Sequence, residues 1–181
     1  MSDAASPWPV TVRLDEISRL RPDEPLHRRL VANEIARTAI AEVLDLESLN
    51  RLEADLVLRR WFDGVSIEGR WRADIVQICG VSLEPFPTPL KGQFQVRAVP
   101  EGSALAPDPE DEVTVDPDAD DPPDVLDSDV VDVGAYVVEH LALEIDPFPR
   151  KPGVAFEPPA PSPEASPFAA LKDFKPRGGR E

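Results

Sequence analysis

The chain has 181 residues, of which 41% are hydrophobic and 22 are proline, with a formal charge of −16. This composition fits one domain with appendages. No apolar run nears the roughly 18 residues of a membrane span, the first residues lack the basic-then-apolar pattern of a secretory signal, and the single cysteine, Cys79, excludes an internal disulfide framework and fits a reducing cytoplasm. The charge is unevenly placed. Residues 1–100 sum to −2, residues 101–129 carry 12 acidic and no basic side chains, and residues 130–181 sum to −2. An acidic total therefore leaves room for a basic face elsewhere.

In chain order, Val10–Leu14 alternates apolar and polar residues and predicts a short strand running to about Ile17. Pro22-Asp23-Glu24-Pro25 reads as a helix start, with Asp23 as cap and Glu24 at the positive end of the dipole. Leu26, Leu30, Ala36, Ile40, Val43 and Leu44 form an apolar stripe, predicting a helix over about 25–44. The period then changes to two. Ala54 to Phe62 and Val65 to Ile75 alternate on either side of Asp63-Gly64, a dipeptide suited to a two-residue hairpin turn. Pairing Phe62 with Val65 sets Arg59 opposite Glu68 and Asp55 opposite Arg72, with Leu56 opposite Trp71 and Leu58 opposite Gly69 on the apolar face.

Gly80, Pro85, Pro87 and Pro89 predict a bend, after which Gln93–Val99 reads as a third strand with Phe94, Val96 and Ala98 facing one way. The acidic stretch 101–129 predicts a disordered loop, with a short edge strand at Val113-Thr114-Val115. Val133, Val137, Leu141 and Ile145 mark a second amphipathic helix over about 132–145. Eight prolines between Pro147 and Pro167 predict an extended tail. At its end Phe168, Leu171 and Phe174 share one side and read as a docking motif. The fold class expected is α+β, an antiparallel β meander packed with two main helices. One domain covers 1–150, with a flexible acidic insertion at about 101–129 and a proline-rich linker and basic tail at 151–181.

Three segments resemble the YceD family. Cys79-Gly80-Val81-Ser82-Leu83-Glu84-Pro85-Phe86 is similar to the family's cysteine followed by a Leu-Glu-Pro core. Asp132-Val133-Gly134-Ala135 through Glu139-His140-Leu141-Ala142-Leu143 leads to Asp146-Pro147-Phe148-Pro149-Arg150, and Ser166-Pro167-Phe168-Ala169-Ala170-Leu171-Lys172 closes the pattern. The resemblance implies a role in the synthesis, processing or stability of large-subunit (23S) ribosomal RNA. Many members pair two cysteines two residues apart, which has associated the family with metal or nucleic acid. Here Ser82 stands at the second position, and serine does not replace thiolate as a structural zinc ligand, so no metal and no cofactor are expected.

The sequence holds no glycine-rich phosphate loop, no HExxH and no nucleophile elbow. Cys79 reads as a small packed residue, Glu84 as exposed, and His140 as helix surface. The chain is therefore expected to be no enzyme, with a thiol-dependent activity at Cys79 as one alternative. Among the meander arginines, the hairpin register pairs off Arg59 and Arg72 and leaves Arg60, Arg70 and Arg97 as candidate RNA contacts. The expected partners are large-subunit ribosomal RNA or a basic ribosomal protein screened by the acidic loop, with no membrane and no DNA. The protein itself is expected to be a monomer.

Overall fold

A computed structural model of the chain describes residues 6–21, 24–107 and 121–156. Pro22 and Asp23, the Val113–Val115 segment, and the tail with Phe168, Leu171 and Phe174 lie outside the described residues. The architecture is α+β. A five-stranded sheet in the order β2-β3-β4-β5-β6 carries helices on one face, beside a two-stranded ladder β1-β7. The strands are β1 (Thr11–Arg13), β2 (Leu26–Val31), β3 (Ser48–Trp61), β4 (Gly64–Ile78), β5 (Pro85–Pro100), β6 (Asp124–Leu126) and β7 (Val130–Asp132). The helices are α1 (Leu14–Ser18), α2 (Glu34–Val43) and α3 (Val133–Glu144). All pairings in the large sheet are antiparallel except β5 with β6.

Two sequence expectations change at the N-terminal side. The strand at Val10–Leu14 is β1, but Leu14 already opens α1, a short helix that buries Leu14 and Ile17. The helix expected over 25–44 is half strand. Leu26–Val31 pairs with β3 as an edge strand, and the helix begins only at Glu34. Leu26 and Leu30 stand four residues apart, a spacing that satisfies a period of two as well as one of 3.6. Asn33 decides the boundary: its Oδ1 accepts the Ala36 N–H at 2.9 Å and caps α2.

The hairpin forms with its register displaced by two. Trp61, not Phe62, closes the ladder against Gly64, so Phe62 and Asp63 make the turn. Gly64 is used differently: a Cβ there would lie 2.0 Å from Ala98 O, so the glycine admits β5 rather than serving the turn. A slip of two keeps every side chain on its face. Leu52, Ala54, Leu56 and Leu58 of β3 and Val65, Ile67, Trp71, Ala73 and Ile75 of β4 therefore remain in the core as expected. Their partners change: Ala54 faces Trp71, Leu56 faces Gly69, Asp55 faces Arg70 and Glu53 faces Arg72. Gly69 leaves room for Phe94 of β5, whose ring would meet a Cβ there at 2.3 Å.

The predicted bend at Pro85, Pro87 and Pro89 is the first part of β5, paired in register from Ile78↔Pro85 to Asp74↔Pro89. Alternate residues of a strand direct their N–H groups to opposite edges. Three prolines at i, i+2 and i+4 therefore remove donors along one edge only, and among the described residues β5 has no strand beyond it before β6 joins at Ala98. Phe94, Val96 and Ala98 share the inward face as expected, Phe94 and Ala98 buried and Val96 packed against the core. Part of the acidic stretch is ordered: Asp124–Leu126 adds to the sheet as β6.

Helix α3 matches the expected span. Asp132 Oδ1 accepts the N–H groups of Gly134, Ala135 and Val10, tying the N-terminal segment to the helix start. A Cβ on Gly134 would stand 2.0 Å from Trp8 O. Helices α2 and α3 pack on the inner face, α2 over β3 and α3 over β5. The opposite face of the sheet is left open among the described residues.

Candidate nucleic-acid interface

Along β3 and β4 the outward positions alternate with the core positions, so the open face follows directly from the period of two. It carries Arg59, Arg70, Arg72, Lys91 and Arg97 across three strands, with Arg29 and Arg51 toward β2. The acids on this face are fewer: Glu53, Asp55, Glu68 and Asp74. Glu53 lies near Arg29 (3.4 Å) and Arg51 (3.5 Å), and Glu68 near Arg59 (4.0 Å). Arg70, Arg72 and Lys91 make no ion pair among the described residues. Arg72 and Lys91 stand directly opposite each other on neighbouring strands, an arrangement that disfavours the fold. With Gln93 and Gly92 they border a shallow groove of about 310 Å³, to which Trp71 also contributes. The Trp71 indole N–H is buried there without a hydrogen-bond partner among the described residues.

The sequence candidates separate on this frame. Arg70 and Arg97 lie on the open face, Arg70 opposite Gln93 and Arg97 opposite Ser66. Arg60 belongs to the other face, opposite Val65, and its Nε–H donates to Phe62 O at 3.2 Å. Arg97 packs over the Trp61 ring, 5.3 Å from its centroid. Arg72 and Lys91 were not candidates in the sequence, because the expected register paired Arg72 with Asp55 and the expected third strand began at Gln93, beyond Lys91. The observed register puts Glu53 there instead, and Glu53 turns to Arg29 and Arg51.

The hairpin tip closes one end of this face. Phe62 is 67% exposed and holds a φ of 52°, in the left-handed region. Its ring meets Trp61 edge-on, with centroids 5.2 Å apart at 85°. Asp63 Oδ1 accepts the Ser103 hydroxyl proton at 3.0 Å, so the turn is tied from both sides.

The first two motif segments meet at the other end of the sheet. Cys79 is fully buried, and its Sγ accepts the N–H groups of Val81, Ser82 and Lys151, each at 3.4 Å. Gly80 N–H donates to Pro149 O at 2.9 Å, Gln77 Nε2–H to Asp146 O at 3.0 Å, and Lys151 Nζ reaches Glu84 Oε2 at 2.8 Å. The ordered Lys151 lowers the Glu84 carboxyl, and Glu84 in turn raises the lysine. The Ser82 hydroxyl, then the Ser82 and Lys151 amides, hold the Cys79 thiol down at about 6. Ser82 Oγ is buried without a well-formed partner, which leaves the neighbouring sulfur as the acceptor its proton can turn to. Leu83 turns the loop at a φ of 57°, Glu84 and Pro85 stay exposed as the chain leaves it, and Phe86 is buried.

The two histidines differ from expectation. His27 is exposed on β2 rather than opening a helix. His140 is half-buried on α3, stacked on Phe94 with centroids 4.3 Å apart, and since a carbonyl only accepts, its Nδ1–H donates to Tyr136 O at 2.8 Å. No cluster of three or more potential metal ligands occurs among the described residues.

A family model described as "Large ribosomal RNA subunit accumulation protein YceD" matches residues 67–175. No curated protein and no solved structure matches. The matched span contains Arg70, Arg72, Lys91 and Arg97 of the open face, the Cys79 loop and α3, while Phe62 precedes it.

Proposed function

The chain belongs to the YceD family, and from that premise we propose that it supports large-subunit ribosomal RNA accumulation by binding rather than by catalysis, with the open sheet face as its RNA surface. The observation that carries this reading is the trio Arg70, Arg72 and Lys91. These cations sit on adjacent strands without ion-pair partners among the described residues, two of them directly opposed, in a chain of net charge −16. Such a set costs stability in the free protein and fits a polyanion laid across the strands. The family's connection with ribosomal RNA supplies the polyanion. Among the described residues no helix is long and apolar enough to cross a membrane, and a role in ribosomal RNA accumulation, as proposed, would be exercised in the cytoplasm.

Binding of the full chain to a large-subunit ribosomal RNA fragment across a salt series tests the proposal. Wild type is expected to bind saturably and to weaken with salt. Replacing Arg70, Arg72 and Lys91 together by Ala should shallow the slope of log K against log salt by about 2, since each phosphate contact on a single strand contributes roughly 0.7. Absence of binding at low salt would overturn the proposal. The edge between β6 and α3 supports a second reading: Asp121, Asp124 and Glu139 line a cavity there with Arg97 and His140, beside Tyr136, whose hydroxyl donates to Asp124 at 2.7 Å. A basic ribosomal protein would fit that edge and would leave the trio variant without effect on binding.

A further inference from the structure

We infer that the open face takes single-stranded RNA, with an unpaired base stacking on Phe62 at the hairpin tip while the backbone runs toward Arg70, Arg72 and Lys91. This rests on the RNA-binding reading above and specifies its ligand. The observation that demands an account is Phe62 itself. A two-residue hairpin turn with positive φ is normally given to Gly, Asn or Asp, and a bulky aromatic there is strained. The ring gains little burial in return, being 67% exposed. Strain held at an exposed side chain, in a turn braced by the Arg60–Phe62 and Ser103–Asp63 hydrogen bonds, marks a position kept for contact.

The surroundings select the partner. Behind Phe62 stands Trp61, covered on its face by Arg97, so the exposed ring offered to solvent is that of Phe62. From Gly64 to Arg72 the strand runs eight residues, about 26 Å, which suits a short run of extended nucleotides. The far end of that run carries Arg70, Arg72 and Lys91, which make no ion pair among the described residues. A duplex keeps its base faces stacked inside and offers phosphates, 2′-hydroxyls and base edges, so it engages the cations but gives the ring nothing to stack on. A single strand uses both. A protein partner anchored by an aromatic would not need three neighbouring cations at the other end, two of them directly opposed.

The test compares a fluorescently labelled 12-nucleotide oligouridylate with an RNA duplex of equal length, using the full chain. Wild type is expected to favour the single strand. Phe62→Asn keeps a turn-compatible residue and removes the ring, and should weaken single-strand binding about tenfold while leaving the salt slope and duplex binding unchanged. Phe62→Trp should retain affinity; its loss would overturn the inference even if Phe62→Asn binds weakly for reasons of folding. Equal binding of duplex and single strand, or full affinity of Phe62→Asn, would overturn the inference and leave the RNA reading standing. A wild-type chain that binds neither probe at low salt would overturn both.

Discussion

The Cys79 sulfur shows how a single side chain is defined by what the backbone offers it. Three amide N–H groups converge on it, two from its own loop and one from Lys151. The Ser82 hydroxyl first, and then these amides, favour the thiolate, so the group falls from its ordinary value near 9.0 to about 6. Because the folded pKa is the lower one, the native state binds its proton more weakly than the unfolded chain does. The stabilising contribution is fully present above about pH 9 and is lost as pH falls through about 6. Wild type should therefore gain stability over Cys79→Ala as pH rises from 6 to 9, read from urea midpoints at several pH values. Parallel profiles for the two proteins would show that the thiol does not ionise in this window. Reactivity follows a separate rule. The fully buried sulfur is a poor nucleophile in the native state whatever its charge, since reaction needs access as well as thiolate.

At the scale of elements, the sequence was read well where period and polarity agree and poorly where two periods coincide. The alternation in β3 and β4, the inward set Phe94, Val96 and Ala98, and the Val133–Val137–Leu141 line of α3 each have one reading, and each stands in the fold. Leu26 and Leu30 have two, and only pairing with β3 makes that segment a strand. The hairpin faces were legible but the partners were not. Asp63-Gly64 suggested a turn that the approach of β5 to Gly64 displaces, and that slip of two hid Arg72, while Lys91 fell before the expected third strand at Gln93–Val99. The prolines misled for a related reason. A proline reads as a strand breaker until one sees that, among the described residues, Pro85–Pro89 has a neighbouring strand on one side only, so a donor missing on the other side leaves no ladder bond unmade. Their consequence is protective, because an edge without N–H groups is a poor template for another strand. Replacing Pro87 and Pro89 together by Thr restores two donors on that edge. The variant should self-associate more than wild type as concentration rises, by sedimentation velocity. Unchanged sedimentation would mean that the edge is guarded by something else, such as the Lys91 charge.

Across the whole molecule, charge is segregated. The acids crowd into residues 101–129, and Arg70, Arg72 and Lys91 occupy the sheet face. The two are tethered, because the acidic stretch leaves β5 and returns through β6, which is paired to the end of that same strand. A tethered polyanion competes with RNA for a basic surface without needing a defined contact, and the competition is strongest when the Debye length is long, about 30 Å at 0.01 M salt against about 10 Å at 0.1 M. Replacing residues 108–120 with a neutral Gly/Ser segment of equal length removes seven carboxylates and keeps the span of the connection. RNA affinity should then rise at low salt and converge with wild type as salt is added, so that the variant shows the steeper salt dependence. The direction separates the two roles assigned to the acid. A gain identifies it as a brake on the sheet face, through which only RNA able to displace the tether is held. Unchanged affinity at 0.01 M salt, where screening is weakest, makes the stretch a solvated spacer and returns the weight of recognition to the sheet alone.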